Sequence, residues 1–159
     1  MHVPNWLKLI TAITVCELAG IIGSIFTGPE IQGWYTTLAK PMFNPPNWVF
    51  GPVWTTLFAL MGIAAYLVWQ QGINRHAVRV ALELFAVQLG LNILWSLIFF
   101  GLHNPGWAVV EIAVLWLMIV STIIAFYKVS KPAAWLLLPY LLWVSFASAL
   151  NFAIWNLNR

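Results

Sequence analysis

The chain has 159 residues, of which 62% are hydrophobic and only 7% charged, and its mean hydropathy is +0.88. A soluble domain carries about a quarter charged residues, so this composition excludes a water-soluble globule and requires an integral membrane protein. The net charge of +3 comes from scattered Lys and Arg without a basic cluster, so nucleic acid is not an indicated partner, and the single cysteine, Cys16, permits no intrachain disulfide.

Five apolar stretches follow one another, each of about twenty residues and so able to cross a ~30 Å hydrocarbon core: Trp6 to Phe26, Trp48 to Trp69, Val78 to Phe100, Trp107 to Tyr127 and Trp135 to Trp155. The connections Gln70 to Ala77, Gly101 to Gly106 and Lys128 to Ala134 are short, which predicts antiparallel neighbours in one helical bundle. The first stretch is too long for a signal-peptide core and is interrupted by Glu17. It repeats small residues every four positions at Ala12, Cys16, Gly20 and Ser24, a helix-packing face. Glu17 lies near mid-span, where a charged acid costs at least ~2.5–3.5 kcal/mol, so it is expected to be protonated or hydrogen-bonded inside the bundle.

The connection Thr27 to Asn47, TGPEIQGWYTTLAKPMFNPPN, is the long one. Such a loop in so economical a chain is a functional candidate. It carries Trp34, Tyr35, Leu38, Met42 and Phe43; Pro29, Pro41, Pro45 and Pro46 stiffen it, and its aromatic residues would be costly in water and are expected to fold down onto the bundle mouth. An ordered cap over the bundle mouth is expected, the alternative being a loop lying in the lipid interface.

In the third span Gln88, Asn92 and Ser96 form an i, i+4, i+8 stripe with Trp95 beside it. In the fifth, Trp143, Ala147 and Asn151 share a face, with Tyr140 one turn earlier. Unpaired amides are expensive in hydrocarbon, so both stripes turn inward, towards each other or a cavity. For Asn92 the reading is ligand binding; for Gln88 and Ser96, interhelical hydrogen bonding and binding stay open. Ala86 and Gly90 make a second small-residue face, suited to packing within the bundle or, if lipid-facing, to a homodimer. Glu83, one turn after Arg79, and Glu111, one turn after Trp107, are read as interfacial. Pro139 interrupts the fifth helix and frees the Trp135 carbonyl.

Of the seven basic residues, Lys8, Arg75, Arg79, Lys128 and Lys131 lie on the N-terminal side against Lys40 and Arg159, which favours an N-terminus facing the cytoplasm in a bacterial membrane. Eleven tryptophans are present. Those near span ends are ordinary interfacial anchors, whereas Trp54, Trp95, Trp116 and Trp143 lie well inside, where flat polarisable surfaces suit a flat apolar ligand. His2, His76 and His103 lie outside the spans, and no Cys, His and carboxylate set has metal-ligand spacing. Nor is there a phosphate loop or a nucleophile elbow, so no metal, required cofactor or hydrolytic chemistry is indicated.

The runs WYTTLAKPMFNPPNWVFGPVW (Trp34 to Trp54), QLGLNILWSLIFFG (Gln88 to Gly101) and LPYLLWVSFASALNFAIWNLN (Leu138 to Asn158) resemble, nearly end to end, the translocator protein family, also called TspO/MBR, tryptophan-rich sensory protein or peripheral benzodiazepine receptor. The resemblance implies one all-α domain spanning residues 1–159, a five-helix membrane bundle with a long capping loop between the first two spans. It also implies a homodimer, in a prokaryotic cell membrane or, in a eukaryote, the mitochondrial outer membrane. Its implied ligands are protoporphyrin IX and haem, sterols in some members and benzodiazepine-type drugs. Carried over by position, the family's ligand contacts fall on Tyr35, Pro45, Trp54, Asn92, Trp95, Trp143 and Ala147, and its porphyrin photoreaction on Trp54 and Trp143. The sterol motif departs here, since Leu150 is followed by Phe152 rather than Tyr and Arg159 is out of range. The expected function is tetrapyrrole binding in transport or sensing. The alternatives are an enzyme for light- and oxygen-dependent porphyrin degradation and a sterol-binding transporter.

Overall fold

The computed structural model describes residues 3–159, which leaves His2 outside the described residues. It contains seven α-helices and no strand among those residues: α1 Asn5–Gln32, α2 Trp34–Thr37, α3 Phe50–Trp69, α4 His76–Ser96, α5 Pro105–Val129, α6 Lys131–Leu136 and α7 Leu138–Leu157. A 3₁₀ turn at Asn47–Val49 leads into α3, and a π turn at Leu97–Gly101 prolongs α4. Five spans result, with α6 and α7 together making the fifth. Large apolar residues such as Ile25, Leu117 and Leu142 cover the outside, as a protein solvated by lipid requires. The chain is a multi-pass integral membrane protein.

The helices form a ring in the order α1, α3, α6 with α7, α5, α4. Sequence neighbours pack side by side as expected for α1 and α3, for α4 and α5, and for α5 and α7. In contrast, α3 and α4 touch much less, because α1 packs between them. The close approach of α1 to α3 depends on glycine, since a Cβ at Gly62 would lie 2.6 Å from the Ile13 Cα. The packing face of α1 is Ala12, Cys16, Ala19 and Gly23 rather than the stripe ending at Ser24, which is exposed. Ala86 and Gly90 are also exposed, and a Cβ added at Gly90 would meet no atom of the described residues within 4 Å.

Local chemistry explains the breaks. Asn104 caps α5 by accepting a hydrogen bond from the Trp107 N–H at 3.1 Å, and Pro105 occupies the first turn, where its missing N–H costs nothing. Pro139 cannot bond the Trp135 carbonyl, and the chain breaks at Leu137. The break allows α6 to pack on α3 while α7 barely touches it, so the ring is closed at the basic end and splayed at the other.

The expected loop from Thr27 is shorter than its sequence suggests. Helix α1 runs on through Pro29 to Gln32. Proline so near a helix end forfeits only the bond to the carbonyl one turn earlier, and Glu30, Ile31 and Gln32 complete the turn. After Gly33 the chain forms α2, then returns through Leu38–Pro46.

Candidate functional site

The splayed half of the ring encloses a cavity of about 320 Å³. Helix α3 contributes Trp54, α4 contributes Asn92 and Trp95, and α7 contributes Trp143 and Ala147, while Tyr35 of α2 reaches the same space. Of the seven residues expected at a site, six thus border one cavity. Pro45 does not; it lies partly buried in the returning loop. Trp116, the fourth interior tryptophan, is also absent from the wall and donates to Ser145 Oγ at 2.8 Å, joining α5 to α7.

Each indole is held from behind. Trp54 stacks on Phe58 with ring centroids 5.5 Å apart. Trp95 stacks on Phe99 at 5.2 Å and donates its Nε1 hydrogen to Asn151 Oδ1 at 2.9 Å, while Asn151 Nδ2 donates to the Pro105 carbonyl at 2.9 Å. Trp143 lies between Phe50 and Phe146, at 6.1 and 5.4 Å, and its Nε1 has no hydrogen-bond partner among the described residues. Phe58, Phe99, Phe100 and Leu150 also line the cavity and were not singled out from sequence. Phe58 and Phe99 stand one helical turn after Trp54 and Trp95, a spacing that carried the signal. Phe100 is brought inward beside Phe99 by the wider π turn, whose Leu102 N–H donates to the Leu97 carbonyl at 2.8 Å.

Beneath the cavity the two inward stripes meet. Asn92 Nδ2 donates to Tyr140 Oη at 3.0 Å, and the Tyr140 hydroxyl donates to Gln88 Oε1 at 2.9 Å. Gln88 is therefore a structural partner, and Asn92 serves both the network and the wall. Ser96 borders the cavity against Gly23. Glu17 lies on the wall, partly buried, with no hydrogen bond among the described residues.

The interfacial reading of Glu111 is overturned. Glu111 is 7% exposed and neither carboxyl oxygen has a hydrogen-bond partner among the described residues. Depth alone suggested the interface; helical phase decides otherwise, because Ala108, Glu111, Ile112 and Leu115 share the inward face of α5. Glu83 is exposed, consistent with its interfacial reading.

At the mouth, Tyr35 is buried and donates to Asn44 Oδ1 at 2.7 Å. Burial pushes its phenol up to about 12, so it remains a donor at neutral pH. The loop is tied to the end of α7 by Asn158, which accepts from the Ala39 N–H and donates to the Ala39 carbonyl, both at 2.9 Å. Trp34 stacks on His103 at 4.4 Å, and His103 Nε2 lies 3.0 Å from Glu30 Oε2. The expectation that the loop aromatics fold inward fails for Phe43, which is half exposed and meets Phe146 edge-on, and the neighbouring Met42 is fully exposed. Proline spacing constrains backbone more than it directs side chains.

The model of the TspO/MBR family matches residues 12–156. The chain belongs to the TspO/MBR family. Tryptophan-rich protein TspO of Chlorobaculum tepidum is 51% identical over 96% of this chain and 96% of its own length. Human translocator protein is 41% identical over 98% of this chain and 93% of its own. Tryptophan-rich sensory protein of Cereibacter sphaeroides is 36% identical over 97% and 93%. Family membership thus covers all five spans and every cavity-lining element described above.

Proposed function

We propose that the cavity binds a flat apolar tetrapyrrole, such as protoporphyrin IX or haem, and that the protein acts in its transport or sensing within the membrane. The observation that carries this reading is the convergence of Trp54, Trp95 and Trp143, from three different helices, on one mostly apolar space. The names of its relatives, translocator and sensory protein, accord with it. At about 320 Å³ the cavity is at the small end of the ligand-site range of ~300–1,000 Å³, so a macrocycle fills it and its polar edge projects towards the loop. In this reading the segment after Gly33, pinned by Asn158 and by the Tyr35 to Asn44 bond, is the cap. Titration of the purified protein with protoporphyrin IX in the dark tests the reading. Trp143→Ala should weaken binding by about tenfold, on the order of 1 kcal/mol or more for a lost stacking surface. Unchanged affinity would place the site elsewhere.

A second reading, light-driven porphyrin oxidation with molecular oxygen as oxidant, draws on one specific feature: the readily oxidised indoles of Trp54 and Trp143 border the same cavity. Replacing both by Phe keeps most of the apolar contact. Loss of photodegradation with retained binding supports the enzyme; degradation at the parent rate makes the tryptophans a cradle only.

A further inference from the structure

A second concavity lies far from the tryptophan cavity, at the closed, basic end of the ring. It is an open groove of about 420 Å³ between α4 and α5, with His76, Lys128 and Ser121 among its polar residues and Val80, Leu84 and Ile124 among its apolar ones. We propose that this groove is a binding site for an anionic phospholipid.

Three observations support the assignment. The first is the order of polarity along the groove. Helix α4 enters the membrane from His76 and α5 leaves it at Lys128, so the cationic side chain and the imidazole stand together at the surface while Val80, Leu84 and Ile124 lie deeper. That is the order of a phospholipid, headgroup outward and acyl chain inward. Ser121 already spends its hydroxyl on the Leu117 carbonyl, so the deeper part is effectively apolar.

The second is the state of the cations. Lys8, Lys40, Lys131 and Arg159 each lie over an aromatic ring, at 4.7 to 5.9 Å from its centroid. Among the described residues Lys128, like Arg75 and Arg79, lies over none, and of these three only Lys128 lines the groove. Neither Lys128 nor His76 has an ion pair or a side-chain hydrogen bond among the described residues, so both remain available to an anion. A lysine in the last turn of α5 complements the helix dipole, which accounts for Lys128 alone but not for the facing imidazole or the trough between them.

The third is charge complementarity. Among the described residues no acid lines the groove, whose charged side chain is Lys128, and neither Arg75, next to His76 in sequence, nor the exposed Glu83 is part of the lining. Basic pockets between membrane helices recognise anionic headgroups by this combination of a cationic side chain, a hydrogen-bonding neighbour and apolar walls. The exposed Ala86 and Gly90 lie on a different flank of α4, so the groove is distinct from that small-residue face.

Native mass spectrometry of the full chain in detergent, with phosphatidylglycerol or phosphatidylcholine of identical acyl chains, tests the proposal. Phosphatidylglycerol should be retained preferentially, Lys128→Gln should weaken its retention roughly fivefold, and Lys131→Gln should leave it unchanged, since Lys131 is not part of the groove and lies over the Tyr127 ring. Leu84→Trp, which fills the apolar part, should reduce retention without touching a charge. Equal retention of the two lipids, or an equal loss from Lys131→Gln, would reduce the effect to diffuse surface charge and overturn the site. Displacement of the lipid by glycerol phosphate at matched concentration would also overturn it, by showing that no acyl chain is held. A change of oligomeric mass in Leu84→Trp with lipid retention unaltered would assign the groove to a second copy of the chain instead.

Discussion

Two of the cavity tryptophans differ in one respect that a single substitution can measure. Trp95 Nε1 donates to Asn151 Oδ1 at 2.9 Å, and Asn151 is 1% exposed, whereas Trp143 Nε1 has no partner. Trp→Phe at either position removes the same indole ring and leaves an aromatic face. At Trp95, however, it also orphans a buried acceptor, because Asn151 Nδ2 stays committed to the Pro105 carbonyl. An unsatisfied buried acceptor costs about 1–3 kcal/mol, and side-chain hydrogen bonds in membrane bundles average ~0.6 with a maximum near ~1.7 kcal/mol. Trp95→Phe should therefore be about 1–2 kcal/mol less stable than Trp143→Phe, the cost of ring truncation largely cancelling between them. Reversible unfolding in mixed micelles, followed by circular dichroism with increasing denaturing detergent, reads the difference. If the two variants agree within ~0.3 kcal/mol, the usual limit of additivity, the hydrogen bond does not hold Trp95 in place and the rigid-wall argument fails.

Gly62→Ala places a Cβ 2.6 Å from the Ile13 Cα, a backbone atom that cannot yield, and should cost about 1–3 kcal/mol by overpacking, while Gly90→Ala faces open space and should be nearly neutral in the same assay. Glu111→Gln should leave stability unchanged or raised, since neither carboxyl oxygen is hydrogen-bonded; a loss of about 3 kcal/mol or more, the cost of breaking a buried charge pair, would reveal a partner. For Tyr35, the absorbance difference between the parent and Tyr35→Phe should show a phenol titrating near 12 rather than near the ordinary value of about 10. The folded pKa is raised, so the stability this phenol contributes is complete below about pH 10 and lost as pH rises through about 12. Titration of the difference spectrum near 10 would show that Tyr35 is solvated.

The five spans were legible because length and apolarity are demanded of every membrane helix, and their ends fell within a few residues of the structural ones, except for α1. There, four prolines read as one loop, although Pro29 is accommodated in the last turns of the helix. Helical spacing brought Asn92 and Tyr140 to one face of their helices, and the structure pairs them directly. The same spacing puts Glu111 on the inward face of α5 with Ala108, Ile112 and Leu115, although its depth alone suits the interface. Three features had no one-dimensional signal. The π turn at Leu97–Gly101 has no residue signature in this stretch. The insertion of α1 between α3 and α4 is a property of ring order, not of connection length. The separation of Trp116 from Trp54, Trp95 and Trp143 depends on which face of α5 meets α7. At the candidate site, Pro45 was carried over by position in a loop, where backbone path rather than periodicity sets direction, and the structure places it off the wall.

A structure of the protein determined with protoporphyrin IX bound would test the central claim most directly. The macrocycle should lie in the cavity, with its faces against the indoles of Trp54, Trp95 and Trp143 and the segment after Gly33 closed over it. A macrocycle seated on the lipid-facing exterior, with the cavity between α1, α3, α4 and α7 unaltered, would contradict it.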